Sequence, residues 1–204
     1  MRITIVDYGM GNIQSIISTL KYLKAGNVTV SAKYEDLKSA DKLILPGVGS
    51  FAKAINEIRA KDLESVLQEL VIQNGKPILG ICLGMQLLGV SSTENGFNKG
   101  LGFINGQVTK FSNNDIKVPH VGFNQVKINK TFKLYKGFST DSVDFYFTHS
   151  FKMLSDDDIG QSHCFYGSDF IASFESNNIA GVQFHPELSQ TNGLKLLKNF
   201  IESF

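Results

Sequence analysis

Cysteine is scarce in this chain, with two residues among 204, and that scarcity excludes the multi-bridge scaffold of small secreted domains. No signal peptide is expected either, since the sequence opens directly into the strand-like Arg2-Ile3-Thr4-Ile5-Val6. No apolar run approaches the roughly 20 residues of a membrane span. Charge of one sign is lacking as well. Twenty basic side chains against nineteen acidic leave +1, and no lysine or arginine cluster offers a footprint to nucleic acid or an anionic membrane. Repeats, low-complexity tracts and long Gly/Ser/Pro linkers do not occur. The expected compartment is the cytoplasm, with neither nucleic acid nor membrane as partner.

What is present is enough apolar material, 42% of residues, to bury one substantial core, so residues 1–204 are read as a single domain. Residues 2–7 read as a first strand and 14–24 as an amphipathic helix, with Ile16, Ile17, Leu20 and Leu23 at helical spacing. Further strands are expected at 27–33, 42–46 and 77–81, with helical rhythm over 51–73 in two pieces. That alternation predicts an open, mostly parallel α/β sheet flanked by helices. From about residue 100 the texture changes to short β-like runs at 107–111, 125–128, 143–147, 162–166, 170–174 and 179–184. These predict a mixed or antiparallel extension in the second half, and 192–203 reads as a closing helix against the sheet.

Three segments carry chemistry. In Gly80-Ile81-Cys82-Leu83-Gly84-Met85-Gln86, a buried strand ends in a turn with cysteine at its tip and glycines two before and two after it. Small residues there let a strained strand-to-helix elbow close, and the positive end of the following helix dipole favours a thiolate. Taken alone, a cysteine among Ile and Leu is a small core hydrophobe. The second segment, Phe184-His185-Pro186-Glu187, supplies an imidazole able to exchange protons near neutrality and a carboxylate able to orient it. On an extended chain, positions i and i+2 face the same way, so Glu187 reaches the His185 ring. The third, Leu45-Pro46-Gly47-Val48-Gly49-Ser50, runs from a strand into a glycine loop. On its own it is an ordinary turn; beside an elbow, the backbone N–H groups of Gly47, Val48 and Gly49 together with that of Leu83 can form an oxyanion hole. Each segment follows a strand at its carboxyl end, where open α/β sheets build their sites.

Leu-Pro-Gly-Val-Gly-Ser-Phe, Gly-Ile-Cys-Leu-Gly-Met-Gln and Phe-His-Pro-Glu, in this order, resemble the class I (triad) glutamine amidotransferases. Within that class Asp7–Asn12, Val118–Asn124 and Tyr146–Ser150 resemble the glutaminase subunit of imidazole glycerol phosphate synthase, and the match runs from Ile3 to Phe200. The resemblance implies a Cys82-His185-Glu187 triad that hydrolyses glutamine to glutamate and ammonia. It implies glutamine contacts from Gln86, Glu94, Tyr146, His149 and Ser150, with His149 a rival base that lacks a carboxylate at matching spacing. It also implies a heterodimer with a (β/α)8-barrel cyclase that receives the ammonia for histidine biosynthesis, with Asn12, His120, Phe123 and Leu188 on the partner side and His120 on a loop. No cofactor is implied, and no metal site, since His163 and Cys164 lack further ligands; Cys164 is read as structural. Two positions depart from the family pattern: Phe123 stands where tryptophan is usual and Leu188 where lysine or arginine follows His-Pro-Glu. Both keep open a paralogous glutaminase feeding another synthase, for example one amidating a sugar. A non-catalytic regulatory subunit and a redox-cysteine protein are the further alternatives.

Overall fold

A computed structural model describes residues 1–112 and 116–204. The first half alternates as its apolar spacing dictates: β1 (Arg2–Val6), α1 (Ile13–Tyr22), β2 (Asn27–Ser31), α2 (Tyr34–Ser39), β3 (Lys42–Leu45), α3 (Phe51–Ala60), α4 (Leu63–Leu67) continued by a π-helical turn (Gln68–Gln73), β4 (Ile78–Ile81) and α5 (Leu83–Leu87). The second half adds β5 (Ser91–Ser92), β6 (Asn98–Lys99), β7 (Gln107–Lys110), β8 (His120–Lys127), β9 (Ser142–His149), β10 (Phe151–Leu154), β11 (Gln161–Phe165), β12 (Asp169–Ser176), β13 (Ile179–Val182) and α6 (Gln190–Ser203). The break between α3 and α4 falls at Asp62, whose φ of 56° no helix continues through.

The sheet runs β2-β1-β3-β4-β13-β12-β10-β7-β5-β6, with β11, β8 and β9 branching from β12. From β2 to β13 every pairing is parallel; from β13 through β12 and β10 to β7 it is antiparallel. Fold class and the change of character near residue 100 therefore match the expectation. Parallel strands buried on both faces need continuous apolar runs. In β3, Leu43 and Leu45 pack with Phe51, Ile55 and Leu67 of α3 and α4, while Ile44 faces Ile16 and Leu20 of α1 and Leu196, Leu197 and Phe200 of α6. Each such side chain contributes about 1.5–3 kcal/mol by leaving water. These two cores fix the sheet between its helices, and so fix the carboxyl ends of β3, β4 and β13 side by side. No helix among the described residues is long and apolar enough to cross a membrane.

Candidate active site

β4 stops at Ile81, and Cys82 turns the chain with φ 54° and ψ −110°, a conformation that costs a non-glycine residue on the order of 1–3 kcal/mol. The turn closes only because its neighbours lack side chains. A Cβ on Gly80 would stand 2.7 Å from the Met85 backbone nitrogen, and one on Gly84 would stand 1.8 Å from the Leu45 carbonyl oxygen. Gly47 is equally constrained, its Cβ falling 2.6 Å from the Gly84 nitrogen and 2.8 Å from the Tyr8 hydroxyl. Tyr8, fully buried, donates from that hydroxyl to the Pro46 carbonyl at 2.6 Å and ties the start of the glycine loop to β1. Gly47 therefore packs behind the elbow, while Val48 and Gly49 reach the cleft with Leu83.

Cys82, 6% exposed, lies in a cleft of about 330 Å³, at the lower end of the range for small-molecule sites. Gln86, Glu94, His149 and Ser150 line it. Glu94 also accepts the Phe51 amide at 2.8 Å, a favourable place for a carboxylate at the start of α3. The Cys82 sulfur faces the Thr148 carbonyl at 3.9 Å and the Gln183 amide nitrogen at 3.6 Å.

β13 runs beside β4 in register, Val182 opposite Ile81, and carries the chain on to His185, whose amide donates to the Tyr146 carbonyl at 2.8 Å. The imidazole Nδ1 meets Glu187 Oε1 at 2.9 Å with both side chains almost completely buried. A carboxylate only accepts, so Nδ1 carries the hydrogen. Nε2 is buried without a hydrogen-bond partner among the described residues. Burial opposes the imidazolium, yet Cys82 and Glu187 outweigh it and raise the His185 pKa to about 10. With Nε2 unbonded, the pairing with Cys82 is electrostatic rather than a formed hydrogen bond.

Several expectations change in detail. Glu187 sits in a 3₁₀ turn (Pro186–Leu188), not on extended chain; Ser189 donates its hydroxyl to the His185 carbonyl at 2.6 Å and closes that turn. Tyr146 does not line the cleft: its carbonyl holds His185, its amide donates to the Ser189 hydroxyl, and its ring packs edge-on against Phe123. Gln86 directs its amide nitrogen inward, to the Phe151 carbonyl and to Gln183, and not into the cleft. His120 opens strand β8 instead of lying on a loop, and is 3% exposed between the rings of Phe147 and Tyr166. Gln183, Tyr8 and Ser189 were not singled out by sequence; Gln183 had a signal, a polar residue inside the apolar run Ile179–Phe184.

His149 is fully committed. Its Nδ1 donates to the Phe151 carbonyl at 2.7 Å, so its Nε2 accepts from His120 Nδ1 at 3.0 Å. Burial pulls His149 down to about 3 and His120 to about 4, from an ordinary 6.5. Between pH 6.5 and about 4 the unfolded chain binds protons that the folded chain refuses, so stability falls as pH falls through that window. His185 acts in the opposite sense above about pH 5.5, its raised pKa giving stability that is lost as pH rises from 6.5 toward 10; below that it is protonated in both states and adds no slope. Urea unfolding at pH 5.5, 5 and 4.5, below the range in which His185 contributes, is expected to show a loss approaching about 1.4 kcal/mol per pH unit for each of His120 and His149, reduced by one share in His120→Asn. An identical slope in that variant would contradict the assignment.

Of the residues expected on a partner side, Phe123 and Leu188 are exposed and His120 is buried. On β8, Phe123 is 50% exposed beside exposed Val121, and Leu188 is 41% exposed on the turn that carries Glu187. Asn12 lies just before α1 and accepts the Ser15 hydroxyl. Cys164 is buried in β11, and burial pushes its thiol up to about 12, in keeping with a structural role. Among the described residues no group of three or more His, Cys, Asp or Glu could hold a metal ion.

Residues 4–204 match the family model "Glutamine amidotransferase class-I". The imidazole glycerol phosphate synthase subunit HisH 1 of Campylobacter jejuni is 44% identical over 200 residues, covering 98% of each chain. Subunit HisH of Methanosarcina acetivorans is 43% identical over 203 residues, again covering 98% of each. Among solved structures, one described as a glutamine amidotransferase superposes with a TM-score of 0.76 at 18% identity, covering 98% of this chain and 97% of its own. That likeness speaks for the fold, and the sequence relatives for the lineage. The chain belongs to the class-I glutamine amidotransferase family.

Proposed function

We propose that this chain is the glutaminase subunit of an imidazole glycerol phosphate synthase in the histidine pathway, one domain over 1–204 working in the cytoplasm. The observation that carries the reading is Cys82 on a strained elbow inside a cleft, with the buried His185–Glu187 pair behind it. Cys82 attacks the side-chain carboxamide of glutamine. The oxyanion meets the amides of Leu83, Val48 and Gly49, with Gly47 seating the loop against the elbow. His185, held at Nδ1 by Glu187, gives the departing nitrogen its proton from Nε2 as the C–N bond breaks, and ammonia leaves. The same imidazole then takes a proton from water, which cleaves the γ-glutamyl thioester to glutamate and restores the thiol. Glu94, Ser150 and Gln86 line the cleft that receives the substrate. Ammonia passes to a (β/α)8-barrel cyclase bound as a heterodimer through the Val121–Phe123–Leu188 strip.

The test is glutamate release by the chain alone, with the cyclase, and with cyclase plus its nucleotide ligand. Large stimulation requiring both is expected; no stimulation of a folded chain would contradict the pathway assignment. Phe123→Asp, which sets a charge in the apolar strip, is expected to weaken association roughly tenfold or more while leaving the melting temperature of the free subunit unchanged. Unchanged affinity in a titration of cyclase would remove the strip from the interface. A second reading, ammonia delivery to another synthase such as one amidating a sugar, is favoured by one observation. The exposed positions where the family usually carries tryptophan and a cation hold Phe123 and Leu188.

A further inference from the structure

Gln183 is 0% exposed, yet it is an amide in the middle of an apolar segment, and buried polar groups persist where their hydrogen bonds are used. Its position follows from register. Val182 pairs with Ile81, and the Cys82 amide donates to the Val182 carbonyl at 2.8 Å, so the next residue of that strand stands beside the elbow. The direction of its amide is fixed from outside. The Phe151 carbonyl can only accept, so the Gln86 atom that meets it at 3.0 Å is Nε2. That nitrogen donates its second hydrogen to Gln183 Oε1 at 2.9 Å, which leaves Gln183 Nε2 to face the Cys82 sulfur at 3.6 Å. On another side the sulfur meets the Thr148 carbonyl, an acceptor, at 3.9 Å. A thiol can donate to Thr148; of these two neighbours only the Gln183 N–H favours a thiolate.

We propose that Gln183 is a further catalytic residue, donating its amide N–H to the Cys82 sulfur in the thiolate form, and that Gln86 is a positioning residue that keeps this amide from turning its oxygen toward the sulfur. The relay rests on the reading of Cys82 as nucleophile. It gives Gln86 work that does not depend on touching glutamine, and it explains why both hydrogens of its amide point away from the cleft.

The experiment uses the intact subunit with its cyclase and compares Gln183→Met, Gln86→Met and the double variant, each close to the original in volume. The readouts are glutamine-dependent turnover and the pH dependence of Cys82 alkylation by iodoacetamide, followed by peptide mass spectrometry. Gln183→Met is expected to lower turnover roughly 10- to 100-fold, the size of a lost hydrogen bond to a charged group, and to move the alkylation profile toward higher pH. Gln86→Met is expected to move that profile the same way, and the double variant to be no worse than Gln183→Met, because both act through one N–H. An unmoved profile in Gln183→Met, or fully additive losses, would overturn the proposal. Should Gln183→Met fail to fold, the profile of Gln86→Met decides alone: a shift supports the relay and no shift overturns it. Cys82→Ala run alongside separates the two levels. Surviving glutaminase activity in that variant would sink the nucleophile itself, whereas its loss together with an unmoved Gln183→Met profile would sink only the relay.

Discussion

Cys82→Ala is expected to remove glutamine-dependent glutamate release, by about four orders of magnitude or more, while ammonia-dependent synthesis by the bound cyclase continues. The size follows from the chemistry: without sulfur no thioester forms, and the cleft, the oxyanion donors and the His185–Glu187 pair retain only the modest rate that binding and electrostatics give on their own. The fold has little reason to change. Alanine at φ 54° is strained to the same degree as cysteine, and the side chain loses one atom at the edge of a cleft that is already open. Ammonia-dependent synthesis therefore acts as an internal control for folding and assembly. A Cys82→Ala enzyme that kept full glutamine-dependent turnover would show that another group does the attack. His149 is not ready to replace it or to serve as base, since both its nitrogens are bonded and burial keeps the ring neutral.

The second large effect is expected from Gly84→Ala, which adds one methyl group and touches no reacting atom. Its Cβ would stand 1.8 Å from the Leu45 carbonyl oxygen, backbone against which no rotamer change gives relief. Either α5 moves away from β3 or β3 gives way, and the first movement carries Leu83 and Cys82 out of register with the glycine loop. We expect a loss of roughly 3–5 kcal/mol in stability and near-complete loss of glutaminase activity. Gly96→Ala is the control, since no atom lies within 4 Å of its Cβ and only its φ of +103° works against it. Urea unfolding measures both. Near-native stability and turnover in Gly84→Ala would mean that the elbow does not need the close approach seen here.

Which parts of this were legible in the sequence follows from what each residue has to do locally. The parallel half was legible because strands buried on both faces must be continuously apolar, as Leu43-Ile44-Leu45 and Ile78-Leu79-Gly80-Ile81 are. The elbow was legible because its glycines answer a steric demand inside the motif itself. Helix α2 was not, for six residues with a single buried apolar side chain, Leu37, carry no period. Strand β10 was hidden by Lys152, a buried cation whose ammonium donates to the Ser168 hydroxyl and lies over the Phe111 ring. Strand β8 inverts the usual rule, with His120 inside and Val121 and Phe123 outside, so that its start resembled a loop. The same inversion is what the proposed docking of a cyclase on Val121 and Phe123 would use. The Gln86–Gln183 contact joins residues 97 apart, and only the tertiary register of β4 and β13 brings them together.

The central claim is that Cys82 is the nucleophile of a glutaminase. The most direct test is covalent trapping with an electrophilic glutamine analogue bearing a diazoketone in place of the carboxamide, in the presence of the cyclase and its nucleotide, followed by peptide mapping. The account predicts one modification per chain, on Cys82, blocked by excess glutamine, with the buried Cys164 untouched. Inactivation with the label on any other residue, or full turnover by a chain modified at Cys82, would contradict it.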